Sequence, residues 1–222
     1  QFISVDCYPL TSVPPASVHP GYYEDDCGIP VPEFNAYYRD AYWESWEIQA
    51  AASRLRRLPI WGFVMATPHS HSRWQYGPVT EGTLRVEAFT ALAYGAEGLQ
   101  YFTMPTPDHQ LYDHGIIDPE GKPSVRYEIF RKVNRDFKAV GQALAGAAMQ
   151  AVYFTHRVPS GCKRFRKGRW GTDSSHRPLS GFEGDPLMLS FLTAADGGKL
   201  LLALNHNPVA RTRTKIDLDQ GW

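Results

Sequence analysis

Residues 58–104, LPIWGFVMATPHSHSRWQYGPVTEGTLRVEAFTALAYGAEGLQYFTM, constrain the chain more than any other stretch. An apolar run at 60–66 opens after Pro59, and a second occupies 98–104. Between them Thr80 is placed to cap a helix whose Leu84, Ala88 and Leu92 recur at helical spacing up to Gly95, where a residue free to take positive φ ends it. Strand, long loop, helix, strand is a βαβ unit. Its crossover makes the two strands parallel, and parallel strands are covered on both faces, so neither run alternates with polar residues. Ligands of such sheets meet the C-terminal ends of the strands. Chemistry is therefore expected after Ala66, where Thr67, His69, His71, Trp74 and Tyr76 stand, and after Tyr101, where Thr103, Asp108, His109, Tyr112 and His114 follow.

Other elements extend this unit. Residues 2–5 are β-prone and stop at Asp6-Cys7-Tyr8-Pro9, which reads as a further strand of the same sheet. The loop 11–33, rich in proline and carrying the acidic patch Glu24, Asp25 and Asp26, is expected to be an ordered wall of the cleft, although a partner contact would suit it equally. Asn35 can cap a helix running to about Leu58, whose Tyr38, Tyr42, Trp46 and Ala50 form a core-facing stripe beside Trp43. A last helix is predicted over 124–144 from Tyr127, Phe130, Val133, Phe137 and Val140. Beyond residue 146 the period changes. Strands are predicted at 149–155, 187–193, 199–205 and 214–218, with Asp196-Gly197-Gly198 as a hairpin signal.

The run 80–104, with ALAYGAEG followed by LQYFTM, resembles the seventh helix and eighth strand of TIM-barrel glycoside hydrolases of the β-galactosidase-like kind. Residues 115–127, GIIDPEGKPSVRY, resemble the segment leading from that strand into the last helix. The resemblance covers about the first two thirds of the chain. It implies an α/β fold, with 1–146 as the last three βα units of a (β/α)8 barrel and 147–222 as a small antiparallel, β-sandwich-like domain. Three such units cannot close a barrel, so a missing N-terminal barrel half or a second chain is the expected structural partner. The chain also opens inside a strand-like run, as expected of a fragment.

The resemblance implies a poly- or oligosaccharide substrate and a secreted or periplasmic location, with no cofactor. Hydrolysis of a glycosidic bond needs two carboxyl groups across it. In the resembled enzymes these are glutamates ending the fourth and seventh strands. The fourth strand is absent here, and the seventh ends in Met65-Ala66-Thr67-Pro68 without a glutamate. Asp6 is the one carboxylate at the predicted mouth end of a strand and so the first catalytic candidate, with backbone hydrogen bonding as its structural alternative. Asp108 and Asp113 lie on a loop that could reach the cleft. Glu81 and Glu87 belong to the helix and are not expected to face substrate. The absent glutamate supports an alternative, a non-catalytic glycan-binding protein on a decayed hydrolase barrel.

Substrate contacts are assigned to Tyr8, Thr67, His69, His71, Trp74, Tyr101, Asp108 and His109. Asp6, Tyr8, His69, Trp74 and Tyr101 are expected to converge at the mouth, with Trp74, polar on both sides, as a sugar-stacking platform, and with plugging of the loop as the alternative. His69-Ser70-His71 raises metal binding, yet no third ligand is spaced to join it, so sugar-hydroxyl contacts are preferred and no metal is expected.

Composition excludes several classes. With 23 basic and 23 acidic residues the net charge is zero, which gives no whole-molecule attraction to nucleic acid or an anionic membrane. The basic loop 157–177, with Lys163, Arg164, Arg166, Lys167 and Arg169 around Trp170, reads as a solvated insertion, and no nucleic-acid partner is expected. No stretch approaches the roughly 20 apolar residues of a membrane span. Cys7 and Cys27 bracket the proline-rich loop and could pair, or could stay reduced with Cys162.

Overall fold

A computed structural model describes residues 1–12, 28–71, 74–166 and 179–218. Three strands, β1 (Ile3–Val5), β5 (Ile60–Met65) and β8 (Gly98–Phe102), form a parallel sheet in the order β1-β5-β8. The connections are helical, through α1 (Asp40–Arg56) and α2 (Glu81–Ala93), as crossovers between parallel strands require. One face of the sheet packs on these helices. Gly62 sits there because a Cβ would lie 2.7 Å from Trp46 Cη2 and 3.2 Å from the Ala91 Cβ, so the backbone of β5 approaches the indole directly. On the opposite face Phe2, 50% exposed, stacks on Trp61 at 5.2 Å, and Gln100 Nε2 donates to Ser4 Oγ at 3.2 Å. Neither β1 nor β8 has a further strand neighbour among the described residues.

Helix α2 begins as expected at Thr80, with Thr83 rather than a glutamate closing the capping box. It ends where Gly95 takes φ +84°. Helix α1 starts five residues later than Asn35. That asparagine adopts the left-handed conformation (φ 50°, ψ 43°) and closes a 3-10 turn over Pro32–Phe34. The residues after it form β4 (Ala36–Tyr38). Tyr38 therefore leaves the expected helical stripe, while Tyr42, Trp43, Trp46 and Ala50 remain buried on it.

The region expected to be loop over the strand ends is partly sheet. Short strands β2 (Leu10–Thr11), β3 (Ile29–Val31), β6 (His69–His71) and β7 (Trp74–Tyr76) join β4 in an antiparallel sheet ordered β3-β4-β2-β7-β6. It is assembled from the connections after β1 and β5. Of the loop 11–33, residues 13–27 lie outside the described residues, and with them Cys27 and its proposed pairing.

Helix α3 (Tyr127–Ala143) covers α2 and buries Phe130 and Val133. After it come β9 (Ala148–Phe154), β10 (Leu179–Gly184), β11 (Met188–Thr193), β12 (Lys199–Leu204) and β13 (Thr214–Leu218). Antiparallel β9, β11 and β12 make one sheet, β10 and β13 a second, and Phe165, Leu179, Leu189 and Phe191 fill the space with Phe182 and Ile216. The Ala194–Gly198 turn closes the hairpin, with Gly197 at φ +86°. Strand β10 was not predicted; its sequence LSGFEG carries two glycines and little apolar signal.

The two parts share one core, in which Met149, Val152, Phe154, Met188 and Leu192 pack with Tyr42, Trp43, Trp46 and Tyr94. Ser190 Oγ donates to the Ala93 carbonyl at the end of α2. At the other end of α2, Gly82 lies so close to the Pro208 backbone that a Cβ would fall 1.7 Å from its oxygen. The basic loop is not simply solvated, since Lys163 pairs with Glu47 at 2.9 Å and, beside it, Arg157 pairs with Asp40 at 3.3 Å. Lys167, Arg169 and Trp170 lie outside the described residues.

Candidate functional site

The strand ends meet at Thr67. Its hydroxyl donates to the Thr103 carbonyl at 3.1 Å and accepts from the Thr103 N–H at 3.2 Å, tying the end of β5 to the end of β8. Gly115 packs over this contact, where a Cβ would stand 2.7 Å from Thr67 Oγ1. Thr67 is 0% exposed and fully engaged, so its expected role as a substrate contact gives way to a structural one.

Above it lies a stack of rings. The β6-β7 pairing sets His69 opposite Tyr76, and the rings stack at 4.8 Å and 17°. A bridge between His69 and Tyr112, with Ser70 N–H donating to Leu111 O, brings the loop after β8 alongside, so Tyr112 stacks on the other face of His69 at 5.3 Å and 19°. Phe102 lies 5.1 Å from the imidazole, and Tyr8 meets His69 and Tyr76 edge-on, at 6.3 and 6.0 Å, and Phe102 at a tilt, 5.9 Å away. Tyr8 is buried beneath the cluster as part of its floor. A groove of about 440 Å³ opens above, lined by His69, Ser70, His71, Phe102, His109, Leu111 and Tyr112.

The structure thus brings Tyr8, His69, His71 and His109 together with Phe102, Tyr76 and Tyr112. Sequence reasoning named Tyr76 and Tyr112 only as residues following strands and passed over Phe102; alternation along β8 was the signal available for it. Two expected members are elsewhere. Tyr101 points to the helix side, its ring edge-on to Phe130 at 5.2 Å and its hydroxyl donating to Asn134 Oδ1. Burial pushes its phenol up to about 12. Trp74 is 9% exposed, with the Arg39 guanidinium 5.0 Å over its ring, so it is a packed residue of the small antiparallel sheet and not a stacking platform. The hairpin accounts for this, since alternation across β7 turns Trp74 inward while Gln75 faces out.

The carboxylates separate by environment. Asp6 is exposed beyond β1. Burial first, and then the Asp6 carboxylate, holds the Tyr8 phenol well above its ordinary range, while the Tyr8 hydroxyl has no well-formed hydrogen bond among the described residues. Asp108 is exposed. Asp113 pairs with Arg126 at 2.6 Å; burial alone would raise its carboxyl, but the His114 N–H and the Arg126 guanidinium prevail and hold it below the usual range. Glu81 is held low by Lys132 and then Arg85.

Glu87 departs most from expectation. Only 3% exposed, it accepts the Met65 N–H at 2.7 Å, and burial pushes its carboxyl up to about 8. It is a neutral acid at pH 7, directly behind the last residue of β5. Apolar spacing on α2 could not reveal it, because a glutamate on a helix ordinarily faces water.

Among the described residues no group of three or more His, Cys, Asp or Glu side chains is placed to hold a metal ion, and no helix is long and apolar enough to cross a membrane. Burial pushes the Cys162 thiol up to about 12, so it is a poor nucleophile. No family model, no curated protein and no solved structure matches the chain.

Proposed function

We propose that this chain binds a poly- or oligosaccharide in the groove at the C-terminal ends of its parallel strands, as part of a glycoside hydrolase-like protein acting outside the cytoplasm. The observation that carries the reading is the ring stack in which His69 and Tyr112, with Tyr76 packed behind His69, line an open groove at strand ends. Flat rings with polar edges suit pyranoses, whose faces are apolar and whose rims are hydroxyls. The edges of β1 and β8, which have no further strand neighbour among the described residues, and the half-covered face bearing Phe2 and Trp61 support closure of the sheet by further βα units or by another chain.

Recognition without hydrolysis is the reading that the carboxylates favour. Among the described residues Asp6 is the one carboxylate at the C-terminal end of a parallel strand, and Asp113 is committed to Arg126. A hydrolytic role for Asp6 draws support from its exposure and its closeness to Tyr8. The test is titration calorimetry of the protein against a panel of neutral and acidic oligosaccharides, followed by assay of product release. Binding that Tyr112→Ala abolishes is expected; association with no member of the panel ends the saccharide reading. Product release that Asp6→Asn removes would replace recognition by hydrolysis.

A further inference from the structure

A second cavity, of about 330 Å³, lies on the seam between the two parts of the chain and shares no lining residue with the groove at the strand ends. Its floor includes Val31 and Tyr38 of the small antiparallel sheet and Pro208 of the β12–β13 connection, all buried. Pro30, Pro32 and Pro186 continue the apolar lining. The rim carries two arginines and two acids: Arg157 is engaged by Asp40 at 3.3 Å, Asp185 accepts the Arg213 N–H at 2.7 Å, and the charges of Arg211 and Glu33 sum to zero. Apolar cavities of about this size, at the junction of packed units, are where small molecules bind. One member of the lining also packs into the core. His206 meets Trp43 edge-on at 6.0 Å and Phe154 at 5.7 Å. Its Nδ1 is sealed from solvent without a hydrogen-bond partner among the described residues, which leaves Nε2 as the nitrogen that a molecule in the cavity can reach. Burial first, and then His156, pushes the imidazole down to about 4, so the ring is neutral at pH 7. A sealed, unpaired nitrogen beside two aromatic rings costs stability, and a phenylalanine would pack there without that cost. Packing alone therefore does not account for a histidine at this position.

We infer that this cavity binds a small, mainly apolar ring compound bearing a hydroxyl group, a phenol or a cyclic alcohol, whose oxygen bonds His206 Nε2 while Tyr38, Val31 and the prolines cover its apolar body. The inference is independent of the saccharide reading above. A hydroxyl both donates and accepts, so it satisfies Nε2 in either tautomer of the neutral imidazole. The rest of the floor offers apolar contact, and the offsetting rim charges leave recognition to that contact and to His206.

Proton–nitrogen NMR of the full chain, titrated with 4-methylphenol, with cyclohexanol and with toluene as the ring that lacks a hydroxyl, tests this. Expected are saturable shifts of the His206, Asn207 and Ala210 amides, with at least one hydroxylated ring binding about tenfold more tightly than toluene. His206→Phe keeps an aromatic ring against Trp43 and Phe154 and loses both nitrogens. It should bring the hydroxylated rings to the affinity of toluene while the unfolding midpoint holds or rises. Ala210→Leu, at an exposed position of the lining, should weaken every probe by about tenfold or more through occupation of the cavity. No saturable shift at millimolar concentration, shifts confined to other residues, toluene binding as tightly as both hydroxylated rings, or variants that bind as the wild type overturn the inference. So does a marked fall in the midpoint of His206→Phe, which would show that the histidine serves the fold.

Discussion

Glu87 keeps its proton in the fold to about pH 8, whereas a free glutamate gives it up near 4.5. Between those values the unfolded chain is ionised and the folded chain is not, so the unfolded state holds fewer protons and stability declines as pH rises. Urea unfolding should show a fall of up to about 1.4 kcal/mol per pH unit across that window, levelling above it. Glu87→Gln, which keeps an acceptor for the Met65 N–H, should flatten the profile; an unchanged slope would place the titration elsewhere. Trp74→Ala is expected to cost about 3–5 kcal/mol of stability while leaving saccharide affinity per folded molecule unchanged, because the ring is packed and not at the groove. At this scale the sequence was readable where a residue's neighbours in the chain decide its fate, as with His69 and His71 just past a strand. It was unreadable where partners far along the chain decide. The burial of Trp74 depends on Arg39, that of Glu87 on Met65, and the engagement of Thr67 on Thr103 and Gly115.

At the scale of elements, apolar period and capping chemistry located the parallel strands, α2 and α3 closely, since those elements bury a repeating face. The antiparallel sheet over the strand ends escaped because its strands are two or three residues long, too short to show any period. Asn35 shows the same limit. Its capping chemistry was recognised, but it caps the wrong end of a different turn, and only pairing of Ala36–Tyr38 with β2 and β3 shows why. The contact of β5 with α1 can be tested through Gly62→Ala. The added methyl would meet Trp46 at 2.7 Å, so a loss of about 1–3 kcal/mol is expected in thermal or urea unfolding. An unaltered midpoint would mean that the indole moves aside freely.

For the molecule as a whole, the shared core of Tyr42, Trp43 and Trp46 with Val152, Phe154 and Met188 argues that neither part unfolds alone. Tryptophan fluorescence, reporting mainly on residues before 75 in the described chain, and far-ultraviolet dichroism, reporting on all strands, should trace one transition. Ser190→Ala removes the bond to the Ala93 carbonyl and should lower that single transition by about 1–3 kcal/mol without splitting it. Two separated transitions in the wild-type protein would show that the core contacts are too weak to couple the parts.

Gly82 gives the experimenter a handle on that coupling. The first turn of α2 and the backbone at Pro208 touch with no side chain between them, so any residue larger than glycine at 82 works as a wedge driven into the seam. A graded series from alanine to valine to leucine there should jack the β12–β13 connection away from the helix by successive increments. Fluorescence resonance between dyes on the two parts would then measure how far the seam opens before the fold gives way.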